Sequence, residues 1–241
     1  MPDKRQHRGP HPEDEQLFAA AQGPTLRRAV QDFCWLLNHD YADKSALKLV
    51  GDHFSLTQRQ RMALMRCSCS DQARRRRRAR QISPENLPAG LLLLDGYNVL
   101  TTIEAALAGG VILKARDGCF RDLAGMHGTY RKVQETIPAI QLIGKYLNNA
   151  KISLCRWYLD KPVSNSGRLK QLLLDLARQH DWNWQVELVF SPDGVLARTP
   201  EIIATSDGEI LNHCQRWFNL TREIIEKYLP DANIIKITDD T

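Results

Sequence analysis

Four consecutive leucines run straight into an acid and a glycine at Leu91-Leu92-Leu93-Leu94-Asp95-Gly96. A short segment that is apolar at every position reads as a strand buried on both faces, and such strands belong to parallel sheets covered by helices. Gly96 permits a sharp turn after the acid, and Asn98 then points back. The rest of the chain keeps this grammar. Strand-like stretches recur at 151–159, 184–190, 201–205 and 233–237, and helical stretches lie at 130–149, 166–180, 208–217 and 221–228. Alternation of this kind predicts an α/β fold with a mostly parallel sheet flanked by helices. Residues 109–128 break the pattern and read as an insertion over the sheet edge or the site.

The first third of the chain is different in kind. Residues 1–23 are polar, rich in Pro, His and Gly, and read as a frayed arm. Leu26, Val30, Phe33, Leu36 and Leu37 then recur at three and four, the stripe of an amphipathic helix, with Thr25 placed to cap it. Further helices are expected over 43–50 and 56–67, the latter capped by Ser55 or Thr57. Arg74, Arg75, Arg76, Arg77 and Arg78 form an unbroken run, extended by Arg80. Ser83-Pro84-Glu85-Asn86-Leu87-Pro88 reads as a linker. The expected organisation is an arm (1–23), a small all-α basic domain (24–82), a linker (83–88) and an α/β domain (89–241). Charge divides at the same place, with a net +6 over 1–88 and −1 over 89–241. A basic module attracts polyanions and an Asp-rich one attracts divalent cations, the division a nucleic-acid-processing protein needs.

No apolar run approaches the roughly 20 residues of a membrane span, and residues 1–12 carry no signal core. The expectation is a cytoplasmic protein with no membrane partner. Cysteines stand at 34, 67, 69, 119, 155 and 214 with no Cys-x-x-Cys pair. They read as free, mostly core thiols; a zinc site from Cys67, Cys69, His39 and His53 is the weaker reading, because zinc ligands usually come in tighter pairs.

A second strand also ends in an acid, at Ile202-Ile203-Ala204-Thr205-Ser206-Asp207-Gly208. Ligands of open α/β sheets bind beyond the carboxyl ends of the strands, so Asp95 is expected on the crevice floor with Asp207 beside it. Capping accounts for either acid alone; two at one edge suit a hard cation, Mg²⁺ or Mn²⁺. Asp160 ends the 151–159 stretch and is the best third acid on geometry. It opens a loop with Ser164 and Asn165, whose helix start offers N–H groups to a phosphate. Asp117 and Asp122 flank Arg121 in a mixed-charge segment that suggests a polar site or a solvated loop. A dehalogenase-like phosphatase needs an acid at position 93, which is Leu93, and no Gly-x-Gly-x-x-Gly follows any strand.

Asp95-Gly96-Tyr97-Asn98 and Thr205-Ser206-Asp207 resemble the first and later acidic motifs of PIN-like and NYN nuclease domains. By segment order over roughly residues 25–238, the chain also resembles the prokaryotic family called domain of unknown function 434, which joins a basic helical domain to a PIN-like one. The resemblance implies a PIN-like, Rossmann-like sheet and a metal-dependent ribonuclease, with RNA favoured over DNA. It makes Asp95 the first metal-binding acid, Asn98 its neighbour and Asp207 the acid after the fourth strand. The third acid stays open among Glu104, Asp117, Asp122, Glu135 and Asp160. Ser164, Asn165, Ser206, Asn98 and Arg121 are the expected substrate-positioning residues, and the arginines at 74–78 and 80 the expected nucleic-acid contacts. PIN-like domains often self-associate, so a homo-oligomer is compatible. The alternative is a nucleic-acid-binding regulator on the same fold without hydrolysis, and the number of carboxylates that converge separates the two.

Overall fold

The structure, a computed structural model of the chain, describes residues 8–124 and 128–238. The N-terminal region is helical: α1 (Asp14–Leu17), α2 (Gly23–Asn38), α3 (Asp43–His53), α4 (Gln58–Cys67) and α5 (Asp71–Arg80). Thr57 caps α4 through a reciprocal exchange with Gln60, and Ser70 caps α5. Thr25 does not cap α2, because the helix starts earlier, at Gly23, with Pro24 in its first turn. The described part of the expected arm is tied down. Arg8 pairs with buried Glu104, buried Asp14 with Arg59, and Phe18 packs into the core.

The remaining elements are β1 (Gln81–Ile82), β2 (Leu91–Asp95), α6 (Gly96–Leu107), β3 (Ile112–Lys114), β4 (Phe120–Asp122), α7 (Thr136–Asn149), β5 (Leu154–Asp160), α8 (Ser166–Gln179), β6 (Trp184–Val189), α9 (Pro192–Leu196), β7 (Ile202–Ala204), α10 (Gly208–His213), β8 (Arg216–Phe218), α11 (Leu220–Tyr228) and β9 (Ile234–Lys236). Six strands form one fully parallel sheet in the order β1-β8-β7-β2-β5-β6. Its alternation is clean. Leu92 and Leu94 of β2, with Trp157, Ile202 and Phe218, face a layer of α6, α7, α8 and α11. Leu93, with Tyr158, Ile203 and Trp217, faces the short helices α9 and α10. Two short helices cover that second face thinly, and α5 completes it: the Trp217 indole N–H donates to the Arg77 carbonyl at 2.7 Å.

Several expectations change here. The 208–217 stretch divides into α10 and β8. The described part of the 109–128 insertion carries the antiparallel pair β3–β4, while its residues 125–127 lie outside the described residues, and β9 joins β3 rather than the main sheet. This small sheet is two-faced. Leu113 packs with Val111, Leu123 and Ile237 into the core of α2, α3 and α4, while Ile112 and Phe120 pack against α6 and α11. The helical region and the α/β region therefore share one interior across residues 83–88, and β1 carries the end of α5 directly into the main sheet. No described helix is long and apolar enough to cross a membrane.

Candidate active site

The chain leaves β2 for β5 and β6 on one side, then returns to β7 and β8 on the other. That reversal makes the carboxyl end of β2 a topological switch point, where the sheet opens a crevice. Four aspartates gather there. Asp95 is the last residue of β2, opposite Tyr158. Leu94 stands opposite Ala204, so the next residue, Thr205, lies beside Asp95 and its hydroxyl donates to Asp95 Oδ2 at 2.7 Å. Asp207 caps α10, with Oδ1 accepting the N–H groups of Glu209 and Ile210 at 2.8 and 3.0 Å. Asp160 ends β5, and Asp193 lies in the first turn of α9. Gly96 allows the approach: a Cβ there would stand 2.8 Å from the Tyr158 carbonyl.

The electrostatics of this edge are one-sided. Burial pushes the Asp95 carboxyl up to about 7; the Thr205 hydrogen bond opposes it, while Asp207, Asp193 and Asp160 add to it. Asp160 is raised by burial and then by Asp193. Asp193 is exposed, and partial desolvation and then Asp207 raise its pKa. The leading charges acting on all three are negative, which is unfavourable without a cation. The Tyr97 hydroxyl is buried with no hydrogen-bond partner among the described residues, and burial and then the Asp160 charge raise its pKa.

Sequence reasoning finds Asp95, Asp207 and Asp160 and misses Asp193 and Tyr97. A signal for Asp193 exists, since Asp193-Gly194 repeats the Asp-Gly step that follows β2 and β7. The other acids lie elsewhere. Glu104 accepts hydrogen bonds from Tyr130 and Thr136 at 2.5 and 2.6 Å, and Asp122 from Thr102 at 2.8 Å. Glu135 is buried just before α7.

Asp117, expected as a metal ligand, is committed to arginines. Its carboxylate accepts from Arg77 at 2.6 Å and from Arg121 at 2.7 and 3.0 Å. Burial alone would raise it, but Arg121 and Arg77 together hold it well below the ordinary carboxylate range. The same two arginines grip the loop that carries Asp207. Arg121 Nε donates to the Ser206 carbonyl at 2.6 Å and Arg77 Nη2 to the Gly208 carbonyl at 3.0 Å. Asn98 completes the grip, its Oδ1 accepting the Ser206 N–H and hydroxyl at 2.8 and 2.9 Å. Asn98, Ser206 and Arg121, expected to face substrate, are engaged in holding this loop.

Ser164 is exposed. Its N–H donates to the Gly128 carbonyl at 3.1 Å, and its carbonyl accepts from the Tyr130 N–H, also at 3.1 Å. Asn165 adopts φ +70° and donates to the Tyr130 carbonyl at 2.9 Å. Beside this latch Arg131, Lys132 and Arg168 line a groove of about 540 Å³. The arginine run is split by helical geometry. Arg77 is buried against Asp117 and Asn212, Arg80 donates to the carbonyls of Asn212 and Cys214, and Arg76 reaches the Asn212 carbonyl. Arg75 and Arg78 are exposed. The six cysteines are free and buried, and burial pushes the Cys67 thiol up to about 12 and Cys69 to about 11. Among the described residues no three His, Cys, Asp or Glu side chains are grouped so that they could hold a metal ion.

Two family models match different parts of the chain. The model of the family described as "Domain of unknown function (DUF5616)" matches residues 84–223, and that of "Protein of unknown function (DUF434)" matches residues 25–80. The "Uncharacterized protein MJ0935" of Methanocaldococcus jannaschii is 28% identical over 187 residues, covering 78% of this chain and 89% of that protein. No solved structure matches the chain.

Proposed function

We propose that this chain, which belongs to the family "Domain of unknown function (DUF5616)", is a metal-dependent ribonuclease whose α/β region is PIN-like. The observation that carries the reading is the set of four aspartates at the switch point, Asp95, Asp160, Asp193 and Asp207, each of the first three raised by burial and by neighbouring acids. A carboxylate edge of this kind suits a hard divalent cation. It fits the manner in which Mg²⁺ is usually held, by one or two carboxylates with retained waters and substrate phosphates, rather than in a closed protein cage. Asp95 and Asp207 would hold it, on the β2 and β7 sides of the crevice.

Mg²⁺ or Mn²⁺ supplies, when bound, charge neutralisation at phosphate oxygens and a water of lowered pKa. The chain supplies the rest. Thr205 fixes one Asp95 oxygen, and α10 fixes one Asp207 oxygen, so each carboxylate has its second oxygen oriented by the first. Asp160 and Asp193 stand on the β5 and β6 side, where they orient water and accept its proton. Arg131, Lys132 and Arg168 meet the phosphates of a strand leaving the edge.

A second reading, a nucleic-acid-binding regulator without hydrolysis, is favoured by one observation: no three acids are grouped to hold a metal ion among the described residues. One experiment separates the two. Labelled single-stranded and structured RNA is incubated with Mn²⁺, with Mg²⁺ and with chelator, comparing wild type with Asp207→Asn and Asp193→Asn. Metal-dependent cutting, lost in Asp207→Asn and reduced in Asp193→Asn, is the expected result. Binding without cutting by the wild type would favour the regulator.

A further inference from the structure

The arginine run has a second destination that the acid edge does not use. Residues 74 and 78 are four apart on α5 and share one face, away from the face on which Arg77 and Arg80 grip α10. That face forms one wall of a groove of about 320 Å³. The end of β3 contributes Lys114, the turn after it Arg116, and α11 contributes Arg222. Five cationic side chains thus converge from three elements that are far apart in sequence.

Their placement is fixed by the surrounding structure. Arg116 is pinned through its backbone N–H and its guanidinium to the carbonyls of Cys67 and Cys69, both at 2.8 Å. Arg222 lies over the Phe120 ring at 5.9 Å and donates to Glu226 at 2.9 Å. The acid on the groove wall, Asp117, is already neutralised by Arg77 and Arg121. Asp71 pairs with Arg116 and Glu226 with Arg222, but both acids are half exposed, and each guanidinium has donors to spare. A groove lined by cations from three elements can meet more than one phosphate of a single backbone.

We propose that this groove is a phosphate-binding exosite that takes the backbone of the nucleic-acid strand whose cleavage is proposed at the acid edge, contacting it through Arg74, Arg78, Lys114, Arg116 and Arg222. The assignment rests on the nuclease reading for its substrate class, but it is tested without catalysis. Arg77 links the two places, with one guanidinium nitrogen on Asp117 in the groove wall and another on the carbonyl next to Asp207. A strand held in the groove is therefore one side chain away from the loop of the acid edge. Contacts of this type confer affinity without sequence choice.

The test is binding of a labelled single-stranded oligoribonucleotide in chelator, so that nothing is cut, across a potassium chloride series. Wild type is compared with Arg78→Ala/Arg222→Ala, with the exposed Arg78→Glu alone, and with Arg78→Lys/Arg222→Lys. Losing two phosphate contacts lowers the slope of log affinity against log salt by about 1.4, and affinity at low salt by about tenfold or more. The lysine pair should restore the slope, and Arg78→Glu, a change at an exposed side chain, should weaken binding in the same direction. An unchanged slope in the alanine and glutamate variants overturns the exosite, as does a wild type that binds no strand. ATP binding as tightly as the oligomer, and lost in the same variants, would replace the strand-backbone assignment with a mononucleotide site. Because the acid edge is tested by cleavage and the groove by metal-free binding, either can fail alone.

Discussion

Asp95 and Asp117 are both buried aspartates followed by glycine, and their surroundings drive them in opposite directions. Asp95 sits among other acids, and burial pushes its carboxyl up to about 7. Asp117 sits between two guanidiniums, which hold it well below the usual range in spite of equal burial. The leading charges around the first are negative, whereas the second has two positive partners. Burial alone thus says little about what an acid does. The identity of the nearest opposite charge decides whether a carboxylate is a ligand in waiting or a structural tie.

The largest expected effect breaks the structural member of this pair. Asp117→Asn leaves Arg77 and Arg121 buried without their anion and should destabilise the fold by about 3–5 kcal/mol in urea denaturation. Asp95→Asn removes a charge whose leading charged neighbours are all acids and should leave stability at pH 8 unchanged or higher. Equal losses in the two variants would dissolve the contrast.

The same Asp95→Asn change tests the proposed catalytic role of the other member. RNA cleavage should fall by more than about a hundredfold, beyond what outer-shell substitutions at metal sites cost, with metal-free RNA affinity preserved. A parallel loss of affinity would mean that Asp95 supports the binding surface rather than the metal.

The pH dependence sharpens the comparison. The folded-state pKa of Asp117 is depressed, so its stabilisation is present above the ordinary carboxylate pKa and is lost as pH falls toward the folded value. The stability gap between wild type and Asp117→Asn should therefore narrow as pH drops below about 4. A gap that stays constant down to acid unfolding would remove the charge pairing as its cause.

The smallest effect tests how far the two regions are one body. Thr57→Ala removes the cap of α4 and should cost about 1 kcal/mol. Because Leu113 and Ile237 join the helical core, the whole unfolding transition should shift together, observed alike by helix signal and by tryptophan fluorescence. An early, separate helical transition would show that the shared interior is weak.

Four Asp-Gly steps occur in this chain, at 95–96, 117–118, 193–194 and 207–208. Three lie at the carboxyl edge of the parallel sheet and one lies in the β3–β4 turn. Strand-then-acid logic picks out the steps after β2 and β7, because unbroken apolar residues lead to them, four leucines in β2 and Ile202-Ile203-Ala204 in β7. It passes over Asp193, since Phe190, Ser191 and Pro192 separate it from β6 and make it look like a turn. The main α/β alternation is legible for the same reason that β2 is, while β8 is hidden. Arg216-Trp217-Phe218 is too short to display a period, though Trp217 and Phe218 are buried on opposite faces of the sheet.

The arginine run shows the same boundary. As a string it is one positive patch; as a helix it has a face for α10 and a face for the groove. What the sequence determines by itself is local: apolar periods that make strands and helices, acids at strand ends, and a basic first third joined to an Asp-rich remainder. What only the tertiary structure decides is which charges meet. Arg77 reaches Asp117 across 40 positions and Arg121 reaches Ser206 across 85, and charge compensation depends on contacts of about 3 Å that no spacing along the chain encodes.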